Sequence, residues 1–367
     1  LTPAEPTIDV VIPVHTTERP LDRAVRSCFD GMPNGMVRVT VVCHNISRDQ
    51  ISPTVGAASN GTIRFEEFHD QRNSPAGPRN YGLSLATAPF VAVLDSDDYF
   101  ETGALQAWHN ALNEQNADAV AAPLLTDRQV RIRTPRVRPG RTHNLDPVRD
   151  GLAYATAPLG LIRRETLKSE GIAYTEGLRS GEDLDPGLRL WYSGAKIEYP
   201  AGAPSYVICS DASDRVTSDV LPLAEEFRAV LGLDDAWLGG LRPAARTAIA
   251  VKLVRVHLLG ALRRRGSNWE WTPSDLAVLE QFIGKVSSIS GKYLRPFSVA
   301  DRGLILAAGR ATADGVIREA LEADQRAPYV SKVLAPAPWA NLRRESTLRH
   351  LIRTKLYSCL LYTSRCV

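Results

Sequence analysis

Asp95, Asp97 and Asp98 place three carboxylates within four consecutive positions, Asp95-Ser96-Asp97-Asp98. Like charges this close repel one another unless a cation neutralises them. Oxygen-only ligands suit Mg2+ or Mn2+, ions that hold substrate phosphates through one or two carboxylates. The same acids also favour helix N-termini, and on that plainer reading Glu101 caps the helix that follows. A second acid pair, Glu182-Asp183, precedes another helical segment. A carboxylate there can take a proton from a hydroxyl within hydrogen-bond reach, or simply complement the helix dipole. Between the two lies Arg79-Asn80, in a stretch at 73–82 that opens a helix, and a helix start carrying an arginine attracts phosphate.

The elements that must position these groups read as a largely parallel α/β sheet. Short apolar runs at 8–14, 37–43, 63–68, 90–94 and 119–122 alternate with amphipathic segments. Leu21, Ala24, Val25, Cys28 and Phe29 recur at helical spacing after Pro20, which predicts a βαβ unit. Helices are expected at 76–88 and 101–116. The run Val91-Ala92-Val93-Leu94 suits a strand buried on both faces, and it stops at the acid cluster. Polar residues at a strand's carboxyl end face the usual ligand crevice of such sheets. The stretch 126–147, rich in proline and arginine, has no period and reads as a long loop. Mixed elements return at 151–209, with a helix at 185–193 and strands near 196–199 and 206–209. After Ser218 helical patterns follow one another, at 221–231, 243–265, 274–290, 299–308 and 313–323. A boundary falls near 218, giving units at 1–217 and 218–355, and an irregular tail at 356–367 that has the look of an artefact.

Composition narrows the class. With 367 residues, 44% hydrophobic and 23% charged, the chain is long enough for about two globular domains and is not a disordered protein. Net charge is +3, which names no polyanionic partner, and no nucleic acid is expected. The positive charge is nevertheless clustered. Arg131, Arg133, Arg136, Arg138 and Arg141 fall in one acid-free stretch, which suits either an anionic acceptor or a solvated loop. Residues 242–265 combine arginines with Leu253, Val254, Val256, Leu258, Leu259 and Leu262, a pattern for an anionic lipid surface or for burial within a helical bundle. Five scattered cysteines without C-x-x-C spacing suggest neither a disulfide framework nor a zinc site. His44, His69 and His143 read as ordinary polar residues. No run is long and apolar enough to span a membrane, and the residues present lack a signal-peptide pattern. A cytoplasmic location is expected, with peripheral contact at the inner membrane face as an option.

Taken in order, Val11-Ile12-Pro13-Val14, Arg79-Asn80-x-Gly82, Leu94-Asp95-Ser96-Asp97-Asp98 and Gly181-Glu182-Asp183 resemble the family 2 glycosyltransferases of the GT-A fold, over roughly residues 8–217. The resemblance implies a Rossmann-like nucleotide-sugar-binding domain followed by a mostly helical one. It implies an inverting, Mn2+- or Mg2+-dependent transfer from a nucleotide-diphosphate sugar, with a UDP-sugar favoured, to a hydroxyl of a glycan or anionic polyol-phosphate polymer. By the same resemblance Pro13, His15 and Arg19 line the nucleotide site, Asp95, Ser96 and Asp97 serve ribose and metal, and Arg79 and Asn80 contact the donor. Asp183 is the base, with Glu182 orienting it or meeting the acceptor. Arg215 and Thr217 fall where the family carries a segment closing over the diphosphate. Where many members have an Asp-rich turn after the second strand, this chain has Cys43-His44-Asn45, and Asn45 offers a donor and an acceptor to a base edge. The helical unit would bind acceptor, form an oligomer or dock on the membrane. Two rival classes are a sugar-nucleotidyltransferase and a non-catalytic carbohydrate-binding scaffold. The first needs a glycine-rich phosphate loop, which Val14-His15-Thr16-Thr17-Glu18-Arg19 does not provide. The second has no use for Asp97 and Asp183 together.

Overall fold

The computed structural model describes residues 5–56, 61–210, 220–311 and 313–354. Two compact units divide the chain, Leu1–Val220 and Leu221–Val367. In the first, among the described residues, the strands are β1 (Ile8–Val14), β2 (Val37–His44), β3 (Thr62–Phe68), β4 (Phe90–Val93), β5 (Tyr99–Phe100), β6 (Ala119–Ala121), β7 (Leu124–Thr126), β8 (Arg131–Ile132), β9 (Gly160–Arg163), β10 (Ile197–Glu198) and β11 (Tyr206–Ile208). Seven of them form one sheet in the order β10-β6-β9-β4-β1-β2-β3, and the other four form a small sheet, β5-β11-β7-β8. β1 runs parallel to both β2 and β4, and β2 parallel to β3, while β9 is antiparallel to β4 and β6. Four parallel strands therefore end along one edge, and that edge collects the residues following Val14, His44, Phe68 and Val93.

The interior explains why these runs are strands. Every residue of β1 is buried, and its β-branched side chains pack both faces of a central strand. Pro13 is tolerated in this strand because β4 has already ended; the last β1–β4 pair is Val11 with Val93. Asp9, 1% exposed in the middle of this apolar set, is held by Arg38 at 2.6 Å and by the backbone N–H groups of Thr87 and Ala88. Helix α1 (Leu21–Ser27) follows β1, α2 (Arg48–Ile51) follows β2, and α3 (Ala76–Ser84) lies between β3 and β4. The glycine of Arg79-Asn80-x-Gly82 is a packing requirement: a Cβ on Gly82 would come within 2.3 Å of Val11 Cγ1. α3 thus lies directly on β1 and β2, and this contact fixes where Arg79 and Asn80 project.

Three expectations from the sequence change here. The helix expected from 101 begins at Ala104, because the acid cluster leads first into β5, which pairs with β11. Glu101 is no helix cap; its carboxylate accepts from Ser205 N at 2.7 Å. The stretch at 126–147 is not a plain loop, since it contributes β8, and its arginines are engaged by the protein. Arg131 donates to Ala201 O, Arg133 lies beside Tyr199, Arg136 stacks over Tyr154, Arg138 makes a bidentate pair with Asp150, and Arg141 donates to Asn144 O. That leaves the idea of an arginine loop for an anionic acceptor without support. The remaining helices of this unit are α4 (Ala104–Gln115), α5 (Arg164–Ser169) and α6 (Leu184–Tyr192).

The second unit is helical: α7 (Leu223–Glu226), α8 (Arg228–Leu231), α9 (Asp235–Gly240), α10 (Pro243–Lys252), α11 (Leu259–Arg265), α12 (Pro273–Ile289), α13 (Val299–Ala308), α14 (Asp314–Arg326) and α15 (Tyr329–Val333). A π-helical segment, Leu253–Leu258, joins α10 to α11. This is the helix whose cations and leucines suggested a lipid surface. Instead Leu253, Val254, Leu258, Leu259 and Leu262 are buried while Val256 of that set is exposed, and Lys252 is fully buried with Nζ 3.0 Å from His257 Nε2. Arg263 pins Asp301 and Asp324 together, and Arg264 and Arg265 both hold Glu226. Those charges organise the unit's own interior. Among the described residues no helix is long and apolar enough to cross a membrane.

Candidate functional site

Both acid groups reach the same guanidinium. Arg79 donates through Nη2 to Asp95 Oδ1 at 2.5 Å and through Nη1 to Glu182 Oε1 at 2.7 Å. Its side chain is 11% exposed and stacks over the Tyr174 ring at 5.1 Å. Asn80, one residue along α3, makes a reciprocal pair with the backbone of Tyr174, accepting from its N at 2.8 Å and donating to its O at 2.9 Å. The same amide also donates to Glu176. So α3, seated on β1 by Gly82, holds the acids after β4 and the segment before α6 in one place. Arg79 was expected at a phosphate; the structure gives it to two carboxylates.

Gly181 has φ +81°, a conformation that L side chains rarely adopt, and it turns the chain so that Glu182 is buried while Asp183 stays partly exposed at the N-cap of α6. Burial pushes the Glu182 carboxyl upward, Arg79 opposes this, and Asp183 and Asp95 add to it. The two neighbours differ in setting: Glu182 is buried on Arg79, and Asp183 is partly exposed at the helix end.

The cluster after β4 is neutralised by arginine and by backbone. Asp97 pairs with Arg19 at 2.7 Å, each side chain 10% exposed, and its carbonyl accepts from Arg23, a residue the sequence reading missed. Arg19 lies in the turn just before α1 and Arg23 in its first turn, so the entry to α1 brings both to Asp97. Asp98 accepts from Cys209 N at 2.8 Å. Burial, then the charges of Asp95 and Asp97, push the Asp98 carboxyl up to about 7. Tyr206, also missed, is fully buried and accepts from Asp95 N at 3.2 Å. Ser96 is buried in the turn, Pro13 is buried in β1, and His15 is exposed just beyond it. Asp127 holds Ser210 through both its N and Oγ, so the end of β11 is tied down on two sides. Arg215 and Thr217, expected to meet the diphosphate, lie outside the described residues.

At the ends of β2 and β3 the expected base contact is engaged elsewhere. Asn45, at φ +58°, accepts from Asp70 N and Gln71 N and donates to Arg72 O. It therefore closes the turn after β3. His44, 6% exposed, pairs with Asp70 at 2.7 Å, and His44 and Asp70 were not expected as a unit.

The donor set decides how these acids would suit a divalent cation. Among the described residues no group of three or more His, Cys, Asp or Glu side chains converges to hold a metal. An all-protein cage is therefore not what they build. One or two carboxylates, Asp97 and Asp95, fit the mode in which a diphosphate and water complete the shell.

Comparison with known proteins matches residues 9–170 to the family described as glycosyl transferase family 2. The chain is 27% identical over 253 residues to the succinoglycan biosynthesis protein ExoU of Rhizobium meliloti, covering 63% of this chain and 71% of that one. It is 21% identical to the poly(ribitol-phosphate) β-N-acetylglucosaminyltransferase TarP of Staphylococcus aureus, covering 48% of this chain and 54% of TarP. For TarS of S. aureus, also a poly(ribitol-phosphate) β-N-acetylglucosaminyltransferase, the identity is 25% over 61% of this chain, which spans only 39% of TarS. A crystal structure of TarS residues 1–349 with UDP-GlcNAc superposes with a TM-score of 0.75 at 17% identity, covering 88% of this chain and 93% of that one. The fold is that of the GT-A glycosyltransferases, and residues 9–170 of this chain are a family 2 glycosyltransferase domain.

Proposed function

We propose that this glycosyltransferase moves a sugar from a UDP-sugar to a hydroxyl of a cell-surface glycan or polyol-phosphate polymer, with inversion at the anomeric carbon. The observation that carries the proposal is Arg79 bridging Asp95 and Glu182, because it puts the acids at the sheet edge and the acids before α6 around one space. The relatives named for surface-polysaccharide and wall-polymer synthesis support the acceptor class, and the TarS complex supports the donor class.

On this reading Asp183 takes the proton of the acceptor hydroxyl as its oxygen attacks the anomeric carbon. The bond from that carbon to the diphosphate oxygen breaks in the same displacement, and the nucleoside diphosphate leaves. Glu182 remains on Arg79 and fixes the turn that carries Asp183. Asp95 and Ser96 meet the ribose end of the donor, and Asp97 faces its diphosphate. Mn2+ or Mg2+, held by Asp97 with Asp95, would supply positive charge to the departing diphosphate. Arg19 and Arg23 hold Asp97 in place.

The test is nucleotide release from a panel of UDP- and GDP-sugars in the presence of Mn2+ and a glycan or polyol-phosphate acceptor. Acceptor-dependent release of UDP supports the proposal. Release of pyrophosphate from a nucleoside triphosphate and a sugar phosphate would instead make the chain a nucleotidyltransferase.

A further inference from the structure

The helical unit carries an exposed apolar surface that the transfer chemistry does not use. Tyr329 and Val330 of α15 are 67% and 63% exposed, and Trp339 and Leu342, in the 3-10 turn Pro338–Leu342, are 56% and 78% exposed. The backbone makes them one neighbourhood. Val299 N donates to Leu334 O and Leu334 N to Val330 O, which joins three exposed aliphatic residues. Asn341 accepts from Ala335 N and donates back to Ala335 O, folding the 3-10 turn against the end of α15. Exposed apolar groups scattered singly need no account, whereas aromatic and aliphatic groups gathered on one segment mark a contact surface.

Charge says what that contact is. Lys332, Arg343, Arg344, Arg349 and Arg353 fall in the same stretch, with Arg343 stacked 4.9 Å over the Trp339 ring and Arg349 donating to Leu342 O. The acid among them, Glu345, is turned to Arg255, whose guanidinium also donates to Glu345 O. Tryptophan and tyrosine favour the boundary between water and lipid, and basic residues are drawn to anionic headgroups. A symmetric contact between two copies would set this row of cations against itself. A polyanionic sugar polymer would satisfy the arginines and leave Leu342, Val330 and Leu334 without a partner.

We propose that the face formed by α15, Leu334 and the 338–343 turn docks on an anionic lipid surface, the apolar groups entering the headgroup layer and the arginines pairing with phosphate. The lipid contact thus belongs to this face and not to the buried α10–α11 helix. It is independent of which sugar the first unit transfers.

Cosedimentation of the full chain with phosphatidylcholine vesicles, with and without phosphatidylglycerol, tests it. Binding should require the anionic lipid and fall with added salt. The double reversal Arg343→Glu with Arg349→Glu should weaken it at least ~30-fold, since each lost cation near an anionic surface costs about a factor of five and each new carboxylate adds repulsion. Trp339→Ser with Leu342→Ser should weaken it on the order of tenfold or more. Both variants should keep the parental circular-dichroism melt and UDP release. Equal binding to neutral and anionic vesicles, or parental binding by both variants, would overturn the proposal. So would self-association in sedimentation equilibrium that the variants abolish while vesicles are ignored, for the face would then be an interface between copies.

Discussion

Asp95 and Glu182, far apart in the chain, accept hydrogen bonds from the two terminal nitrogens of one residue, Arg79, at 2.5 and 2.7 Å. Burial works against the charge on Arg79, and Asp95, Tyr174 and Glu182 together overcome it and hold the guanidinium protonated. A guanidinium has the fork for two carboxylates at once, and an ammonium does not. Arg79→Met leaves Glu182 buried without its cation, which should destabilise the first unit by ~3–5 kcal/mol in a denaturant titration. Arg79→Lys should retain more of that stability yet lose on the order of 100-fold in turnover, because a ~1 Å displacement of reacting groups is enough for such a loss.

Gly82→Ala tests the platform beneath Arg79. The added Cβ would meet Val11 Cγ1 at 2.3 Å and Val42 Cγ2 at 3.0 Å, so α3 must move off the sheet. The expected cost is ~1–3 kcal/mol in the unfolding midpoint, accompanied by a loss of turnover out of proportion to the remaining folded fraction. A variant with parental stability and rate would show that α3 tolerates displacement.

Asp98 predicts a dependence of stability on pH. Its carboxyl is raised from 3.8 to about 7 in the folded chain, so between those values the native state holds a proton that the unfolded state has lost. Stability from this group is therefore complete at low pH and declines as pH rises from about 4 to about 7. Asp98→Asn keeps an oxygen for Cys209 N and removes the titration, and its stability relative to the parent should rise across that window. Parallel stability curves for the two proteins would contradict the assignment.

For Asp97 the account predicts a donor effect. Asp97→Ala should weaken UDP-sugar affinity by on the order of 10-fold or more, the loss expected for a charged hydrogen-bonding partner, with little change in acceptor affinity. Titration calorimetry with and without Mn2+ reads both, and equal donor binding by parent and variant under both conditions would remove Asp97 from the diphosphate site.

How far the sequence could lead depended on the range of each interaction. β1 and β4 were legible because unbroken runs such as Val10-Val11-Ile12 and Val91-Ala92-Val93 admit little besides a buried strand. The acids at 95–98 and 182–183 were legible as types at spacings. What joins them was not, since the Arg79–Glu182 pair links positions that no local period connects. Of the small sheet only β11 was legible, because strands as short as β5 and β8, two residues each, leave no alternation to read. The arginines at 131–141 misled for a similar reason: a charged residue reads as exposed until its partner, such as Asp150 for Arg138, is brought to it by the fold. Asn45 had the right chemistry for a base edge, but its positive φ and its hydrogen bonds with Asp70 N, Gln71 N and Arg72 O assign it to a turn.

Asp183→Asn gives the most direct reading of whether the two acid groups serve one reaction. The substitution keeps the shape at the N-cap of α6 and removes the proton acceptor. The account predicts a UDP-sugar dissociation constant close to the parent's and acceptor-dependent UDP release reduced by about 100- to 10,000-fold, the span a general base contributes. Parental turnover in this variant, with the donor still bound, would mean that the acids before α6 do not act on the sugar held at the sheet edge.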